Sequence, residues 1–385
     1  MTDVLVVGGG IVGLSAGWHL ARHGARVTVV ESAEPVRFTS RAAAAMIAPV
    51  GYLEPTDDEF LRLRVDAHAD WSRFAAELVE DTGNDPAYRR IGSLVAAFDG
   101  DGMARADTLR ALHAELGIES TVVDAAGAAE LEPGLVGALG GLWVPGEGCV
   151  DPDATGRALL AGIAARGGIV RTGARVTELR TSGERVVGVR LADGTAIDAD
   201  LVLVAAGAAS TGLPGIPERA RIPLRAVKGQ SLLVRDDVDH PTVRTVLRAG
   251  INLVPRGDGR LMIAGTVEDS GRGDHNTVAG MYEVLDRAIA AVPAIRALPL
   301  DSWCVGQRPV AADDAPVLGP SGVDGLWWAT GHSYYGILLS GLTGRLVADA
   351  WYGDDPASKR LDLFGANRFR TGSPRYTSLT DDRHA

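Results

Sequence analysis

A glycine-rich turn between an apolar run and a helix-like segment restricts the fold of this chain more than any other feature. Residues 4–7 are apolar, as in a buried strand, and residues 11–16 are typical of a helix. Gly8 permits the tight turn between them, Gly10 lets a ligand approach the backbone, and Gly13 lets the helix pack closely on the strand. The chain therefore opens as a β-α-β unit does.

An acidic residue at the end of the next strand completes the pattern. Residues 27–30 form a second apolar run, and Glu31 follows eighteen positions after Gly13. The helix N-terminus favours a diphosphate, and an acid at this position accepts hydrogen bonds from an adenosine ribose. The pattern predicts dinucleotide binding. The alternative, a glycine-rich turn in an ordinary β-α-β core, leaves Glu31 and the triple glycine unexplained.

Composition narrows the class of protein. The chain has 385 residues, 49 of them glycine, and a formal net charge of -11. That length suffices for two domains, and the acidic balance argues against nucleic acid as a partner. Cys149 and Cys304 are far apart, so neither a disulfide framework nor a redox pair is predicted. No spacing of histidine, cysteine and acidic residues is typical of a metal site.

The same composition predicts a cytoplasmic protein. No apolar stretch approaches the roughly 20 residues that a membrane span needs, so no membrane span is expected. The first strand begins almost at once, which leaves no room for a signal peptide. His19 and His23 on the first helix are expected to be structural or solvated. The sequence leaves a homo-oligomer open.

Hydrophobic periodicity predicts the other elements. Helices are expected at residues 60–79, 107–116, 152–167, 278–291 and 337–352. Alternation over residues 169–200 predicts a β-meander, and the apolar run 201–204 predicts a buried parallel strand. Further strands are expected at residues 230–234, 252–255 and 261–265. The small residues of segment 40–49 suit either a backbone lying flat against a ligand or a short Ala-rich helix.

These elements predict an α/β fold in two domains. A Rossmann-type nucleotide-binding domain takes residues 1–80, 140–212 and 302–370, so it is discontinuous. An inserted α+β domain, built on a mainly antiparallel sheet, takes residues 81–139 and 213–301. Residues 373–385 are polar and aperiodic, and are expected to be a mobile tail.

Several further motifs resemble the D-amino acid oxidase-like FAD-dependent oxidoreductases, nearest the glycine oxidase subgroup. The resemblance rests on the glycine turn with Glu31 and on residues 40–49, 227–230, 253–256, 306–309, 313–319 and 330–339, and it extends to about Tyr352. It implies non-covalent FAD lying extended in the first domain, with the flavin ring where the domains meet. Cys304 lies two residues before the position where relatives attach the flavin covalently, so we expect dissociable FAD and a buried structural cysteine.

The resemblance also implies which residues form the site. The implied cofactor-binding residues are Gly8, Gly10, Ile11, Val12, Gly13, Glu31, Ser40, Arg41, Ala45, Met46, Val176, Ala206, Gly207, Arg308, Gly331, His332, Gly336, Ile337 and Leu338. The N-terminus of the last helix would face the flavin pyrimidine ring, where a helix dipole stabilises negative charge. His332 could act through its backbone or, as an alternative, through its ring.

On the substrate side the implied residues are Arg308, Tyr334, Tyr335 and Asn252. The family counterpart of Arg308 grips an amino acid carboxylate in a two-pronged ion pair, and a structural salt bridge with Asp313 or Asp314 is the alternative. Tyr334 and Tyr335 either hydrogen-bond the substrate or pack as a wall.

Three positions depart from the glycine oxidase subgroup. Asn252 replaces a usual tyrosine, Tyr334 and Tyr335 replace Arg-Asn, and Ala45 replaces glycine. A retained Arg308 in an altered pocket predicts a substrate that is larger than glycine or different from it.

The implied reaction is oxidation of a small amino or imino acid by hydride transfer to flavin N5, with dioxygen as acceptor. A D-amino acid dehydrogenase or a pathway-specific imine-forming flavoenzyme is the alternative within enzymes. A non-catalytic FAD-binding redox sensor is the alternative from another class. An NAD-dependent dehydrogenase fits the first motif alone, but not the region from Arg308 to residue 339.

Overall fold

Two large β-sheets organise the part of the chain that the computed structural model describes, which is residues 2–51, 59–269 and 273–370. In chain order the helices are α1 Ile11–Arg22, α2 Thr39–Ala42, α3 Glu59–Thr82, α4 Gly100–Glu115, α5 Ala125–Leu131, α6 Pro152–Ala165, α7 Val278–Ala291, α8 Gly336–Trp351 and α9 Asp355–Leu363. The strands are β1 Asp3–Val7, β2 Arg26–Val30, β3 Met46–Ile47, β4 Ser93–Ala97, β5 Thr121–Asp124, β6 Gly140–Val144, β7 Gly148–Cys149, β8 Ile169–Arg171, β9 Val176–Ser182, β10 Arg185–Leu191, β11 Ala196–Asp198, β12 Leu201–Val204, β13 Leu224–Arg235, β14 Val246–Arg248, β15 Asn252–Pro255, β16 Arg260–Ala264, β17 Leu300–Ala311, β18 Val317–Val323 and β19 Leu326–Thr330.

The first sheet is the expected Rossmann-type sheet. Its strand order is β18-β19-β12-β1-β2-β8, and every pair is parallel except β18 with β19. The apolar strand β12 pairs with β1 in the centre and is buried along its whole length, because helices cover one face and the β9–β11 meander the other. Helices α1, α6 and α8 pack on the first of these faces.

The second sheet is the expected, mainly antiparallel one. Its strand order is β17-β13-β16-β15-β14-β4-β6-β5, with one parallel pair between β14 and β4. Helix α7 packs on one face through Met281, Val284 and Ala288. Strands β6 and β17 pair with strands of this sheet. The predicted domain boundaries, however, place all of β6 and most of β17 in the first domain. The division itself stays a prediction.

Some of the expected elements differ in the structure. The predicted meander over residues 169–200 is wrong at its start, because β8 joins the first sheet parallel to β2 and only β9, β10 and β11 form the meander. Helix α4 begins at Gly100 and not at residue 107, since Asp99 caps it by accepting from the Gly102 N–H at 2.7 Å. Segment 40–49 forms both a short helix, α2, and an extended stretch.

Some elements of the structure were not predicted from the sequence, and one predicted segment lies outside the described residues. Strands β4, β5, β6 and β14 and helices α5 and α9 were not predicted. The expected tail at residues 373–385 lies outside the described residues. Among the described helices, none combines the length and the apolar character that a membrane crossing needs. The described residues also contain no cluster of histidine, cysteine and acidic side chains that could hold a metal ion.

Candidate functional site

A cavity of about 1760 Å³ lies between the two sheets. Most of the predicted site residues line it: Gly8, Gly10, Ile11, Val12, Glu31, Ser40, Arg41, Ala45, Met46, Val176, Ala206, Gly207, Asn252, Arg308, His332, Tyr334, Tyr335, Gly336 and Ile337. Gly13, Gly331 and Leu338 are not on its wall. The sheets therefore bring together residues that are more than 300 positions apart in sequence.

The glycine turn leaves no room for side chains. A Cβ atom at Gly8 would lie 2.5 Å from the Ala205 carbonyl oxygen, and one at Gly13 would lie 2.1 Å from the Gly8 carbonyl oxygen. Gly8 also has a φ of +115°, which L side chains rarely adopt. Gly13 thus serves the close packing of α1 on β1 from behind the cavity wall, while Gly8 and Gly10 leave backbone at the cavity surface.

Glu31 ties this turn together. One carboxylate oxygen accepts the Gly9 N–H at 2.7 Å, and the other accepts the Ala33 N–H at 3.0 Å and the Ser32 hydroxyl at 2.8 Å. The side chain is buried, and Glu31 lines the same cavity as Val176 and Gly207. The carboxylate that the sequence assigns to a ribose therefore also shapes the glycine turn.

The first turn of α1 presents backbone donors to the cavity. The Ser40 hydroxyl accepts the Ile11 N–H at 3.2 Å, across the gap between α1 and α2. A hydroxyl oxygen at this point shows where an anion would meet the helix N-terminus. Arg41 lies at the same rim, with its Nε 3.9 Å from an Asp153 carboxylate oxygen.

The segment after α2 holds Ala45 in a conformation that favours glycine. Ala45 has a φ of +59°, in the left-handed region that glycine adopts at least cost. The Ala45 carbonyl accepts the Val150 N–H at 3.0 Å, and Met46 then pairs with Cys149 between β3 and β7. The backbone at residues 43–46 is held flat along the cavity wall.

At the opposite end, the N-terminus of α8 faces the cavity through Gly336 and Ile337. Leu338 is buried behind them, and its carbonyl accepts the Trp71 indole N–H at 2.8 Å. His332 is buried, with its ring Nε2 3.1 Å from the Thr343 hydroxyl, and burial lowers its pKa to about 3. The ring is therefore neutral near pH 7 and hydrogen-bonded inside the protein, which favours a role for the His332 backbone.

Arg308 is held on the second sheet. Its Nη1 donates to the carbonyls of Lys228 at 3.3 Å and Thr266 at 3.2 Å, and its guanidinium lies 4.8 Å from the centre of the Tyr334 ring. The guanidinium passes over Gly229, where a Cβ would lie 2.5 Å from Nη1.

The candidate salt-bridge partner Asp313 is engaged elsewhere. Its two oxygens accept from Arg368 at 2.7 and 3.0 Å. This pairing weakens the interpretation of Arg308 as the partner of Asp313.

A polar network behind Arg308 was missed by the sequence analysis. Glu268 accepts from the Thr266 hydroxyl at 2.5 Å and from the Gln230 amide at 2.6 Å, and it lies 3.2 Å from the buried Lys228 ammonium. Burial opposes its ionisation, yet these three hydrogen bonds hold the pKa of Glu268 below its usual value. The network fixes the two carbonyls that hold Arg308. Lys228 and Gln230 in the motif 227–230 were its only sequence signal.

The two tyrosines have different surroundings. Tyr334 stacks on Arg308, whereas Tyr335 packs edge-on against Phe60 and lies under the Arg64 guanidinium, 4.4 Å from its ring centre. Tyr335 is therefore a wall between cavity and core. Asn252 lines the cavity, and its Oδ1 is buried without a hydrogen-bond partner among the described residues.

The residues present fit a bound dinucleotide. The glycine turn keeps side chains out, Glu31 offers an acceptor beside it, and helix N-termini stand at α1 and α8 where negative charge is favoured. Cys304 lines the cavity but is buried, and burial raises the pKa of its thiol, so the reactive thiolate is disfavoured.

Comparisons with known proteins agree with this geometry. Residues 3–350 match the model of a family described as FAD dependent oxidoreductase. The chain is 31% identical to the bifunctional protein ThiO/ThiG of Trichormus variabilis over 96% of its own length, but it spans only 55% of that relative. It is 32% identical to a glycine oxidase of Pseudomonas aeruginosa, covering 92% of this chain and 95% of that one. The crystal structure of a glycine oxidase from Bacillus cereus superposes with a TM-score of 0.85 at 26% identity, covering 94% and 98% of the two chains.

Proposed function

The chain belongs to the FAD-dependent oxidoreductase family, and from that premise we propose that it oxidises a small amino or imino acid to the corresponding imine. The observation that supports this most directly is the Arg308 guanidinium, held by backbone carbonyls on the wall of the cavity that also contains the glycine turn. FAD, when bound, supplies a hydride acceptor for the carbon that bears the amine.

The first sheet supplies the proposed cofactor contacts. Backbone N–H groups at the glycine turn and the start of α1 would hold the diphosphate, and Glu31 would accept from the ribose. The first turn of α8 would face the part of the cofactor that gains negative charge. Each of these is a fixed backbone or buried carboxylate, so little reorganisation is needed on binding.

The second sheet supplies the proposed substrate contacts. Arg308 would bind the carboxylate through two parallel N–H donors, which a planar guanidinium can present and an ammonium cannot. The Tyr334 ring under the guanidinium restricts its tilt. Asn252 Oδ1 would accept an N–H of the neutral amine, which orients the α-carbon without adding charge.

No side-chain base is required by this proposal. The ring of His332, adjacent to the α8 turn, is buried and neutral. The protein would contribute orientation through Arg308 and Asn252 and a field that favours negative charge at α8. The predicted site residues suit this proposal, because they contribute much backbone and few acid–base side chains to the cavity wall.

Dioxygen is the proposed electron acceptor, because some of the relatives that match over nearly their whole length are named as glycine oxidases. A dehydrogenase that passes electrons to another acceptor is the second candidate, since a D-amino acid dehydrogenase of Methylobacterium radiotolerans matches at 30% identity over 94% of this chain.

An anaerobic screen tests the proposal. FAD-loaded protein is mixed with glycine, sarcosine, D- and L-amino acids and cyclic imino acids, and the visible flavin absorption is followed. Bleaching by at least one of them is expected, and air should then restore the colour with formation of hydrogen peroxide. Bleaching that air does not reverse would favour the dehydrogenase, and no bleaching by any of them would favour a non-catalytic flavoprotein.

A further inference from the structure

A buried arginine holds the segment that follows α2. Arg256 comes directly after β15 and ends the motif at residues 253–256, and the sequence alone assigns it no role. Its side chain is buried, and its guanidinium donates to backbone carbonyls. Nη1 donates to the carbonyls of Ala44 at 2.9 Å and Val150 at 2.7 Å, and Nη2 donates to the carbonyl of Ala43 at 2.9 Å.

The orientation of these carbonyls fixes the direction of two backbone N–H groups. In a planar trans peptide, the N–H of one residue points opposite to the carbonyl of the residue before it. Since the carbonyls of Ala43 and Ala44 both point to the Arg256 guanidinium, the N–H groups of Ala44 and Ala45 point away from it. All three alanines line the cavity, whereas Arg256 is not among the described residues of its wall. The two N–H groups are therefore directed to the cavity side of the segment.

These two donors are left for a ligand. Neither the Ala44 N–H nor the Ala45 N–H has a hydrogen-bond acceptor among the described residues. Ala45 is buried and Ala44 is half-buried, and buried backbone donors are almost always paired in folded proteins. Neighbouring N–H groups that point the same way favour negative charge in front of them.

The course of the segment leads these donors toward the second sheet. Ser40 lies at the N-terminus of α1, where the diphosphate is proposed to bind. Two residues later, the Ala42 carbonyl accepts the Ser231 hydroxyl of β13 at 2.9 Å. Residues 43–45 continue from there, and the Arg308 guanidinium is held on the same strand. The donors thus belong to the end of the cavity where the two sheets meet, which is the proposed place of the flavin ring.

We propose that Arg256 is a positioning residue for FAD, because by holding the carbonyls of Ala43 and Ala44 it presents the N–H groups of Ala44 and Ala45 to the flavin end of the cofactor. The two N–H dipoles, with a buried cation behind them, favour the reduced cofactor, which carries more negative charge than the oxidised one. This contribution adds to the one proposed for α8. The inference rests on the cofactor contacts of the proposed function and is independent of the substrate.

The midpoint potential of bound FAD tests the inference without turnover. It is measured by reductive titration against a reference dye in the parent protein, in Arg256→Lys and in Arg256→Met. Lysine keeps the charge but lacks the planar fork that reaches several carbonyls at once, and methionine removes the charge as well. Arg260→Gln is the matched control, because this nearby guanidinium pairs with Asp151 at 2.6 Å and Asp258 at 2.7 Å and not with residues 43–45.

The potential should fall in the Arg256 variants. In Arg256→Met the reduced cofactor should lose about tenfold in affinity relative to the oxidised one, the size of one charge-assisted hydrogen bond. For a two-electron couple this lowers the midpoint potential by about 30 mV. Arg256→Lys should lie between Arg256→Met and the parent, and Arg260→Gln should stay near the parent. FAD content and melting temperature show whether each variant folds, and Arg256→Lys carries the test if Arg256→Met does not fold.

A merely structural arginine predicts a different result. The Arg256 variants would then lose melting temperature but keep the parental midpoint potential, which would overturn the inference and leave the proposed function standing. Failure of the parent protein to bind FAD would overturn the inference and the proposed function together.

Discussion

At the scale of single residues, one carboxylate has an observed role and a proposed one. Glu31 was identified from sequence as a ribose acceptor, and the structure adds its hydrogen bonds to Gly9, Ser32 and Ala33. Because the same carboxylate shapes the turn and is the proposed ribose acceptor, cofactor binding should depend on the correct folding of this turn. The position of Glu31 at the end of β2 predicted the role as a ribose acceptor. Its hydrogen bonds within the turn depend on how the folded turn lies against the side chain.

Replacing Glu31 should therefore weaken FAD binding. Glu31→Gln keeps the shape but removes the charge, and loss of a charge-assisted hydrogen bond costs about 1.5–3 kcal/mol, or roughly 10- to 150-fold in affinity. Titration of the apoprotein with FAD measures the change. Glu130→Gln, at an exposed position on α5, is the control and should leave the affinity unchanged. An unaltered FAD affinity in Glu31→Gln would remove Glu31 from the cofactor site.

Other residues of the site could be recognised only in the folded structure. Arg308 stood out because its motif resembles that of a known family, whereas Glu268 gave no comparable signal. Glu268 acts through the carbonyls of Lys228 and Thr266, which only the pairing of β13 with its neighbours brings together. Sequence reasoning finds a residue from its motif, but it does not find the partner that positions it.

At the scale of elements, the close packing of α1 on β1 decides whether the glycine turn can form. Gly13 and Gly17 both lie in α1, but they have different surroundings. A Cβ at Gly13 would lie 2.1 Å from a backbone oxygen, while one at Gly17 would have its nearest neighbours at 3.4 Å, an ordinary contact.

Gly13→Ala and Gly17→Ala should therefore behave in opposite ways. The first forces α1 away from β1 and should reduce FAD content and melting temperature, with a cost of about 1–3 kcal/mol or more. The second should be neutral or slightly stabilising, because alanine favours a helix by up to about 1 kcal/mol. FAD content and thermal unfolding of both variants measure this. Equal behaviour of the two would contradict the packing account.

His19 is buried on α1, and its ring contacts those of Trp18 and of Phe74 on α3. Burial lowers the pKa of His19 to about 3, with nearby Arg22 acting in the same direction. The unfolded chain, with an ordinary pKa near 6.5, binds the proton first as the pH falls. The stability that neutral His19 contributes is thus present above pH 6.5 and is lost progressively between pH 6.5 and about 3.

His19→Leu should flatten the pH dependence of stability. Between pH 7 and pH 5 the parent should lose about 2 kcal/mol of unfolding free energy through this histidine alone, and the variant should lack that part. Urea unfolding at the two pH values measures the difference. His240→Leu, at an exposed position, is the control. An unchanged pH dependence in His19→Leu would show that the ring gains its proton at the same pH in the folded protein as in the unfolded chain.

Elements with strong periodicity were predictable and short ones were not. Helix α7 matches the sequence prediction because its apolar residues recur at helical spacing, and strand β12 matches because it is apolar throughout. Strand β8 was misplaced in the meander, since alternation alone cannot say which sheet a strand joins. Strands β4 and β6 are short, and β4 contains two alanines and β6 two glycines, so their side-chain pattern carries little information.

At the scale of the whole molecule, the cavity is a product of both sheets. The glycine turn lies on the first sheet and Arg308 on the second, and β17 runs from the edge of the second sheet to the turn before α8. Family resemblance predicted this meeting of distant segments, and composition or periodicity alone did not.

The cofactor should be held without a covalent bond. Cys304 is buried and its raised pKa disfavours the thiolate that attachment would require. Acid precipitation of FAD-loaded protein should release the flavin into the supernatant, and absorption of the two fractions measures it. Colour that stays with the pellet would contradict this prediction.

We propose that both sheets cooperate in oxidising an amino acid whose carboxylate is bound by Arg308. The most direct measurement compares anaerobic flavin reduction by an amino acid and by the amine that lacks its carboxylate, in the parent protein, in Arg308→Lys and in Arg308→Ala. The parent should favour the amino acid strongly, and Arg308→Ala should lose about 2–5 kcal/mol of that preference, with Arg308→Lys between them and FAD content near normal in all three. An Arg308→Ala protein that retains FAD and is reduced by the amino acid at the parental rate would contradict the account.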